Sequence, residues 1–184
     1  MTTFVALLRA VNVGGNNQIS MSKLRAVLES LGYTGVTTYI QSGDIVLDGK
    51  ERTAAALVAK VEAAIAHEFG FTIDVVARTA RDLNTVIESN PFRTRVPDTT
   101  KLHVAFLNQL PDRARVNTLD PTRFAPDEFA VGVREVYLHC PEGLGRSKLA
   151  AAVVAKLAPA PATVRNWNTV NKLAELAGMR LPHR

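Results

Sequence analysis

The sequence predicts an α+β protein made of two tandem ferredoxin-like β-α-β-β-α-β repeats with antiparallel sheets, each repeat followed by an extra helix. Three observations predict it. Short apolar or alternating runs of strand length recur along the chain, and apolar stripes at helical spacing separate them. The order in which the two kinds of segment follow one another also occurs twice.

Residues 3 to 11 form the first apolar run and read as a strand. Met21, Leu24, Val27, Leu28 and Leu31 then recur every three or four residues behind Ser20, a residue type that caps helices. VTTYIQ and DIVLD are two β-rich runs separated by Ser42-Gly43, the composition of a hairpin turn. Leu57, Val58, Val61, Ile65 and Phe69 give the next helix, which Gly70 ends. Residues 71 to 77, FTIDVVA, read as a fourth strand. Thr79 and Asp82 have the spacing of a capping box, opening a helix on Leu83, Val86 and Ile87 that closes near Asn90-Pro91.

The order then repeats. LHVAFLN is a strand, PDRARVNTL a weaker helix, FAVGV and EVYLH a hairpin, and residues 147 to 157 a helix on Leu149, Val153 and Leu157. ATVRNW supplies the last strand, and Thr169 to Ala177 a closing helix on Val170, Leu173, Ala174 and Ala177, so that Thr79 and Leu83 find counterparts in Thr169 and Leu173. Residues 1–90 are therefore expected to form one repeat and residues 101–184 the other. Residues 91–100, with two prolines and three threonines, form the expected linker.

Composition narrows the class. In 184 residues, 47% are hydrophobic and 21% charged, and no run is long and apolar enough to span a bilayer, which points to a globular chain with no membrane partner. The start MTTFVALLRAVNV lacks the basic opening of a signal peptide, and the single cysteine, Cys140, allows neither an internal disulfide nor a cysteine-built zinc site. The expected location is the cytoplasm. The net charge of +5 is uneven: residues 1 to 90 hold eight Lys+Arg against nine Asp+Glu, residues 91 to 184 fourteen against eight. A basic second half can attract phosphate, and nucleic acid is an alternative partner on that ground.

The sequence alone names no reaction. Asn12-Val13-Gly14-Gly15-Asn16-Asn17 joins the first strand to the first helix, where paired glycines beside a helix N-terminus can turn N–H groups toward an anion or serve only as a turn. Gly143-Leu144-Gly145-Arg146-Ser147-Lys148 offers the same choice, with Ser147 as a cap if no ligand is present. In Arg165-Asn166-Trp167-Asn168-Thr169 the indole either stacks a planar ligand or anchors the last strand to its helix, with Asn168 or Thr169 as the cap. Gln41-Ser42-Gly43-Asp44 is a polar hairpin tip, and no second acid stands beside Asp44 for paired-carboxylate chemistry.

Adjacent strand residues point to opposite faces, which separates His139 from Cys140 as a dyad. His67, His103 and His183 are scattered, so no metal site is expected. The aromatic signature of an RNA-recognition sheet is missing, since Phe4 and Phe106 alone do not replace it. On this reading Arg9 shares a strand face with Val5, Leu7 and Val11, and Tyr39 shares one with Gln41. Arg9, Gln41 and the Arg165-Asn166-Trp167 string are then expected to converge in a polar seam between the repeats. The expected ligand is small and anionic or phosphorylated, held by Arg9, Asn12, Gly14, Gly15, Gln41, Ser42, Ser147, Lys148, Arg165, Asn166 and Trp167, with no cofactor.

Four segments carry a family resemblance: VALLRAVNVGGNNQISMSKLRAVLESLGY, TYIQSGDIV, EGLGRSKL and TVRNWNTVNKLAEL. In that order they resemble the bacterial family known as domain of unknown function 1697. The resemblance implies a two-part α+β fold with ferredoxin-like halves and brings no established activity, substrate or cofactor. The positions it matches are Arg9, Asn12, Gly14, Gly15, Gln41, Ser42, Gly43, Ser147, Lys148, Arg165, Asn166, Trp167, Asn168 and Thr169. Two positions depart from it: Ala10 stands where glycine is expected, and Asp44 where asparagine is expected.

Overall fold

A computed structural model of the chain describes residues 1–178, so His183 lies outside the described residues. The chain is α+β, with two four-stranded antiparallel sheets and, among the described residues, six α-helices. Met1–Asn84 group with residues 172–178, and Thr85–Asn171 form the second unit.

In the first unit, β1 (Thr2–Leu8) is followed by α1 (Met21–Ser30), β2 (Thr34–Tyr39), β3 (Asp44–Gly49), α2 (Ala54–Phe69), β4 (Val75–Thr79) and α3 (Ala80–Glu88), whose last residues fall in the second unit. The sheet order is β2-β3-β1-β4. The helices form where local signals converge. Ser20 accepts from the Lys23 N–H and Thr53 from the Ala56 N–H, while Gly70, at φ 77°, takes the left-handed turn that closes α2. Thr79 caps α3 by accepting from the Asp82 N–H at 3.0 Å, as its spacing predicts.

Strand alternation sorts β1 onto two faces. Phe4, Ala6 and Leu8, beside Ile45, Leu47, Val75 and Ala77, pack with Leu24 and Leu28 of α1 and Leu57, Val61 and Ile65 of α2. The opposite face carries Val5, Leu7, Asp44, Val46, Val76 and Arg78, and all six are buried.

The second unit runs β5 (Leu102–Leu107), α4 (Arg113–Val116), β6 (Glu128–Val131), β7 (Glu135–His139), α5 (Lys148–Leu157), β8 (Ala162–Asn166) and α6 (Trp167–Leu176), whose second half belongs to the first unit. Its sheet order, β6-β7-β5-β8, places the elements in the same sequence as in the first unit. Ala105, Leu107, Val136, Leu138 and Ala162 pack with Leu149, Val153 and Leu157. Val104, Phe106, Glu135, Tyr137 and Thr163 are buried on the other face. Residues 91–95 form turns against this unit, where Phe92 and Val96 are buried and Arg95 forks onto both oxygens of Glu128 at 3.1 and 2.5 Å. That fork is the main cause holding the Glu128 carboxyl below its usual range.

Ladder positions repeat between the sheets. Asp44 lies opposite Leu7 and Glu135 opposite Phe106, so each third strand opens with a buried carboxylate. Each caps its own turn: Asp44 accepts from the Ser42 hydroxyl at 3.1 Å, and Glu135 from the Val133 and Arg134 N–H groups at 2.9 and 3.1 Å. Arg78 lies opposite Val5 and Arg165 opposite Val104 on the two last strands. Each arginine folds back onto the carbonyl of the preceding residue, Ala77 at 2.9 Å and Val164 at 3.0 Å. Asp74 turns its carbonyl to β1, so by alternation Ala77 faces the outer edge, and Arg78 occupies that edge as Glu62 does one turn of the pleat away, at the Val75 N–H.

Five sequence expectations are corrected. β1 ends at Leu8, not Val11, because Ala10 and Asn12 adopt positive φ and turn the chain out of the sheet; Arg9 therefore has no strand face. β2 ends at Tyr39 because Ile40, at φ 49°, turns the chain, so Gln41 sits in the turn and shares no face with Tyr39. The fourth strand starts at Val75 instead of residue 71, where the ladder opposite Leu8 begins. The weaker helix of residues 111–119 is the single turn α4, capped by Asp112. α6 starts at Trp167 because Asn166 is its cap, accepting from the Asn168 N–H at 2.9 Å; the ladder counterpart of Thr79 is therefore Asn166, not Thr169.

Gly43 fixes where the β2–β3 turn meets β1. At φ 77°, a Cβ there would lie 2.7 Å from Val11 Cγ2 and 2.9 Å from Leu8 Cβ. Gly43→Ala is expected to destabilise the protein by about 2–4 kcal/mol through backbone strain and overpacking together, read as a lower denaturation midpoint with an unchanged slope.

Candidate functional site

Three loops meet at the end of the first sheet where β1 terminates: residues 9–19, the turn 40–43 that joins β2 to β3, and the approach to β4 at Asp74. Arg9 closes the ladder, its N–H bonding the Asp74 carbonyl at 2.9 Å and its guanidinium the Asp74 carboxylate at 2.9 Å. Both side chains of that pair remain nearly half exposed.

Asn12 ties the loops together. Its amide nitrogen donates to the Ile19 carbonyl at 3.0 Å and the Gln41 carbonyl at 2.9 Å, while its oxygen accepts from the Ile19 N–H at 2.9 Å. Between these anchors Val13 and Asn16 pair across Gly14 and Gly15, whose φ values of 59° and 81° suit a two-residue hairpin turn with both central residues left-handed. The Gly-Gly pair thus forms an exposed tip. Asn17 steadies its base by donating to the Ala10 carbonyl.

Among the described residues, the non-glycine residues at positive φ are Ala10, Asn12, Asn17 and Ile40, at 53°, 54°, 48° and 49°, and all four belong to this rim. Asparagine tolerates that region; alanine and above all β-branched isoleucine do not. Ala10 stands where the resemblance expects glycine, and its positive φ is the physical reason a glycine suits the position. Sequence reasoning found Arg9, Asn12 and Gln41 but missed Ile40, since nothing in the string TYIQSG marks an inverted backbone.

Arg9, Asn12, Gly14, Gly15, Gln41 and Ser42 are therefore brought together in the first unit. Ser147, Lys148, Arg165, Asn166 and Trp167 lie in the second. Ser147 caps α5, accepting from the Ala150 N–H at 2.9 Å and donating to Asp127 at 2.7 Å, and Lys148 is exposed at its first turn. Arg165 spends Nη1 on Thr163 and Val164. Asn166 donates to the Thr100 carbonyl at 3.0 Å, and Trp167 is 2% exposed, so the indole anchors α6 in the core. Asn168 accepts from the Thr99 hydroxyl at 2.8 Å.

Cys140 and Ser147 are both engaged within the fold. Cys140 is buried, and burial pushes its thiol pKa up, away from thiolate formation at neutral pH. Ser147 gives its proton to a carboxylate, with no imidazole bonded to it. Among the described residues no three His, Cys, Asp or Glu side chains gather as a metal site would require, and no helix is long and apolar enough to cross a membrane.

Fold and rim together define an α+β protein of two four-stranded antiparallel sheets, with strained polar loops gathered at one end of the first. The chain belongs to the family described as "Protein of unknown function (DUF1697)", which it matches over residues 1–137. Among solved structures it is similar to the conserved bacterial protein SP0830 from Streptococcus pneumoniae, with a TM-score of 0.77, 23% identity, and 96% of this chain and 98% of that one covered. At that identity the likeness shows the fold alone. No curated protein matches the chain.

Two outcomes follow from these contacts. Asn12→Ala removes three hydrogen bonds and is expected to cost about 2 kcal/mol in denaturant titration, with faster hydrogen exchange at the Ile19 amide. His103 is buried beside Asn166, and burial holds its pKa below the usual 6.5. The unfolded chain takes up a proton near that value while the folded chain refuses it. The stability present above about pH 6.5 is therefore lost as the pH falls toward the depressed folded value. His103→Gln should flatten that part of the stability profile between pH 7.5 and 5.

Proposed function

We propose that the protein is a tandem of two ferredoxin-like units in which the rim of the first binds a small anionic ligand. The tandem reading rests on the repeated order strand-helix-strand-strand-helix-strand, on the two matching sheet orders, and on the repeated ladder positions of Asp44 with Glu135 and Arg78 with Arg165. Such repetition is what an internal duplication leaves.

The observation that carries the binding reading is an asymmetry of strain. The second unit builds the same sheet order with no non-glycine residue at positive φ among the described residues, whereas the first gathers four at one rim. The topology therefore does not require that conformation, and strain that a fold does not require is held where a ligand uses it. Arg9 supplies the charge. Its exposed pairing with Asp74 is the kind worth no more than about 1 kcal/mol, so an arriving anion can compete for the guanidinium. The exposed Gln41 amide and the Gly14–Gly15 tip add hydrogen-bonding groups beside it. Binding is favoured over catalysis because Cys140 and Ser147 are engaged as structural groups. A reduced, buried Cys140 fits the cytoplasm as the compartment.

Thermal unfolding in acetate, inorganic phosphate, pyrophosphate and a short single-stranded oligonucleotide tests this. An anion present at a hundred times its dissociation constant is expected to add about 2.7 kcal/mol of stability. Arg9→Ala should fold normally and lose the effect. Affinity confined to the oligonucleotide, falling steeply with salt and independent of Arg9, would point to nucleic acid held by the basic second half. Absence of any Arg9-dependent shift would sink the anion reading.

A further inference from the structure

Ile40 is the least explicable residue of the rim on grounds of folding. It lies at φ 49°, a region that clashes with a β-branched side chain and costs on the order of 1–3 kcal/mol. That cost is ordinarily offset by burial, yet Ile40 is 52% exposed. Glycine or asparagine at the same position would relieve the backbone and lose little packing. Leu31, Leu110 and Val133 are also exposed, but none of them lies at positive φ, and a single exposed apolar residue means nothing by itself. Exposure and an inverted backbone coincide in a large apolar side chain at Ile40 alone among the described residues.

Its location gives the coincidence a use. Asn12 bonds the Gln41 carbonyl at 2.9 Å, so Ile40 and Val13, each one residue from that bond, stand on two loops joined side by side. Val13 is 65% exposed. Arg9 lies three residues before Asn12 at the foot of the same loop, its guanidinium on Asp74. Apolar and cationic groups are thus presented on one rim.

We propose that Ile40, with Val13, forms the apolar half of the binding rim, and that the ligand is an amphiphilic anion: a carboxylate or phosphate head carrying a short aliphatic chain. The proposal rests on the anion reading given above and adds the chemistry of the other end of the ligand. Ile40 is a contact residue that the ligand covers. The apolar area hidden on binding offsets what the side chain costs the free protein.

Titration followed by amide chemical shifts, with acetate, butanoate, hexanoate and octanoate, and with inorganic phosphate against butyl phosphate, reads head and tail separately. In the wild-type protein the dissociation constant should fall by up to about fourfold for each added methylene. In Ile40→Asn and Ile40→Gly that dependence should flatten, affinity for acetate and inorganic phosphate should stay as it was, and the unfolding temperature should rise. The two head groups distinguish a carboxylate from a phosphate ligand. A wild-type affinity that ignores chain length overturns the proposal, as does an unchanged chain-length dependence in both variants. Lower stability in both variants also overturns it, since Ile40 would then serve the fold. If acetate or phosphate binds through Arg9 with no chain-length dependence, this inference alone fails. If nothing in either series gives an Arg9-dependent response, the anion reading fails and takes this one with it.

Discussion

The carboxamide of Asn12 is the constraint on which the first unit's rim depends. Three loops leave the sheet there; Arg9 holds the one at Asp74 through a last ladder bond, but the 12–19 and 40–43 loops have no strand neighbour beyond Leu8 to hold them to each other. One side chain supplies the substitute. By bonding both main-chain groups of Ile19 and the carbonyl of Gln41, it closes the 12–19 excursion on itself and fastens it to the β2–β3 turn. The left-handed backbones at Ala10 and Ile40 persist because the chain is held on both sides of them: the Arg9–Asp74 ladder bond and Asn12 bracket the first, and the β3 ladder and the Asn12 bond bracket the second.

Much of the fold was legible because its signals are local. Ser20, Thr79 and Gly70 act as a cap, a cap and a stop, and each is recognised from residues within a few positions of it. The end of β1 was not legible. VALLRAVNV reads as one apolar run, and an alanine at positive φ looks like any other alanine. The start of α6 failed for another reason: Asn166, Asn168 and Thr169 are all competent caps. The choice falls to Asn166, whose side chain is also held by the Thr100 carbonyl, a contact spanning 66 residues that no local pattern contains. Asp44 and Arg78 would pass for surface residues, yet both are buried. Their positions opposite Leu7 and Val5 become visible only once register is known.

The rim and the second unit divide the site predictions along a physical line. Asn166, Trp167 and Ser147 have their polar groups committed to caps and long-range bonds or their area committed to the core. Arg9 and Gln41 keep exposed surface, and their neighbours keep unfavourable conformations. Matching a family motif does not separate the two sets; exposure combined with neighbouring backbone strain does.

The arginine of each last strand has a bearing on how the sheets end. An edge strand offers a column of unused carbonyls and N–H groups to any extended chain that drifts past. β4 and β8 are such edges, and on each an arginine from within the strand takes up a carbonyl that faces outward, or holds the matching position. On β8, where Arg165 is only partly buried, a foreign strand meets a guanidinium in place of a free acceptor and must displace a cation before it can form its first hydrogen bond. On β4 Arg78 is buried, so the same bond satisfies a carbonyl within the packed fold. The side chain of Arg165 therefore serves as a stopper against templated growth on the β8 flank.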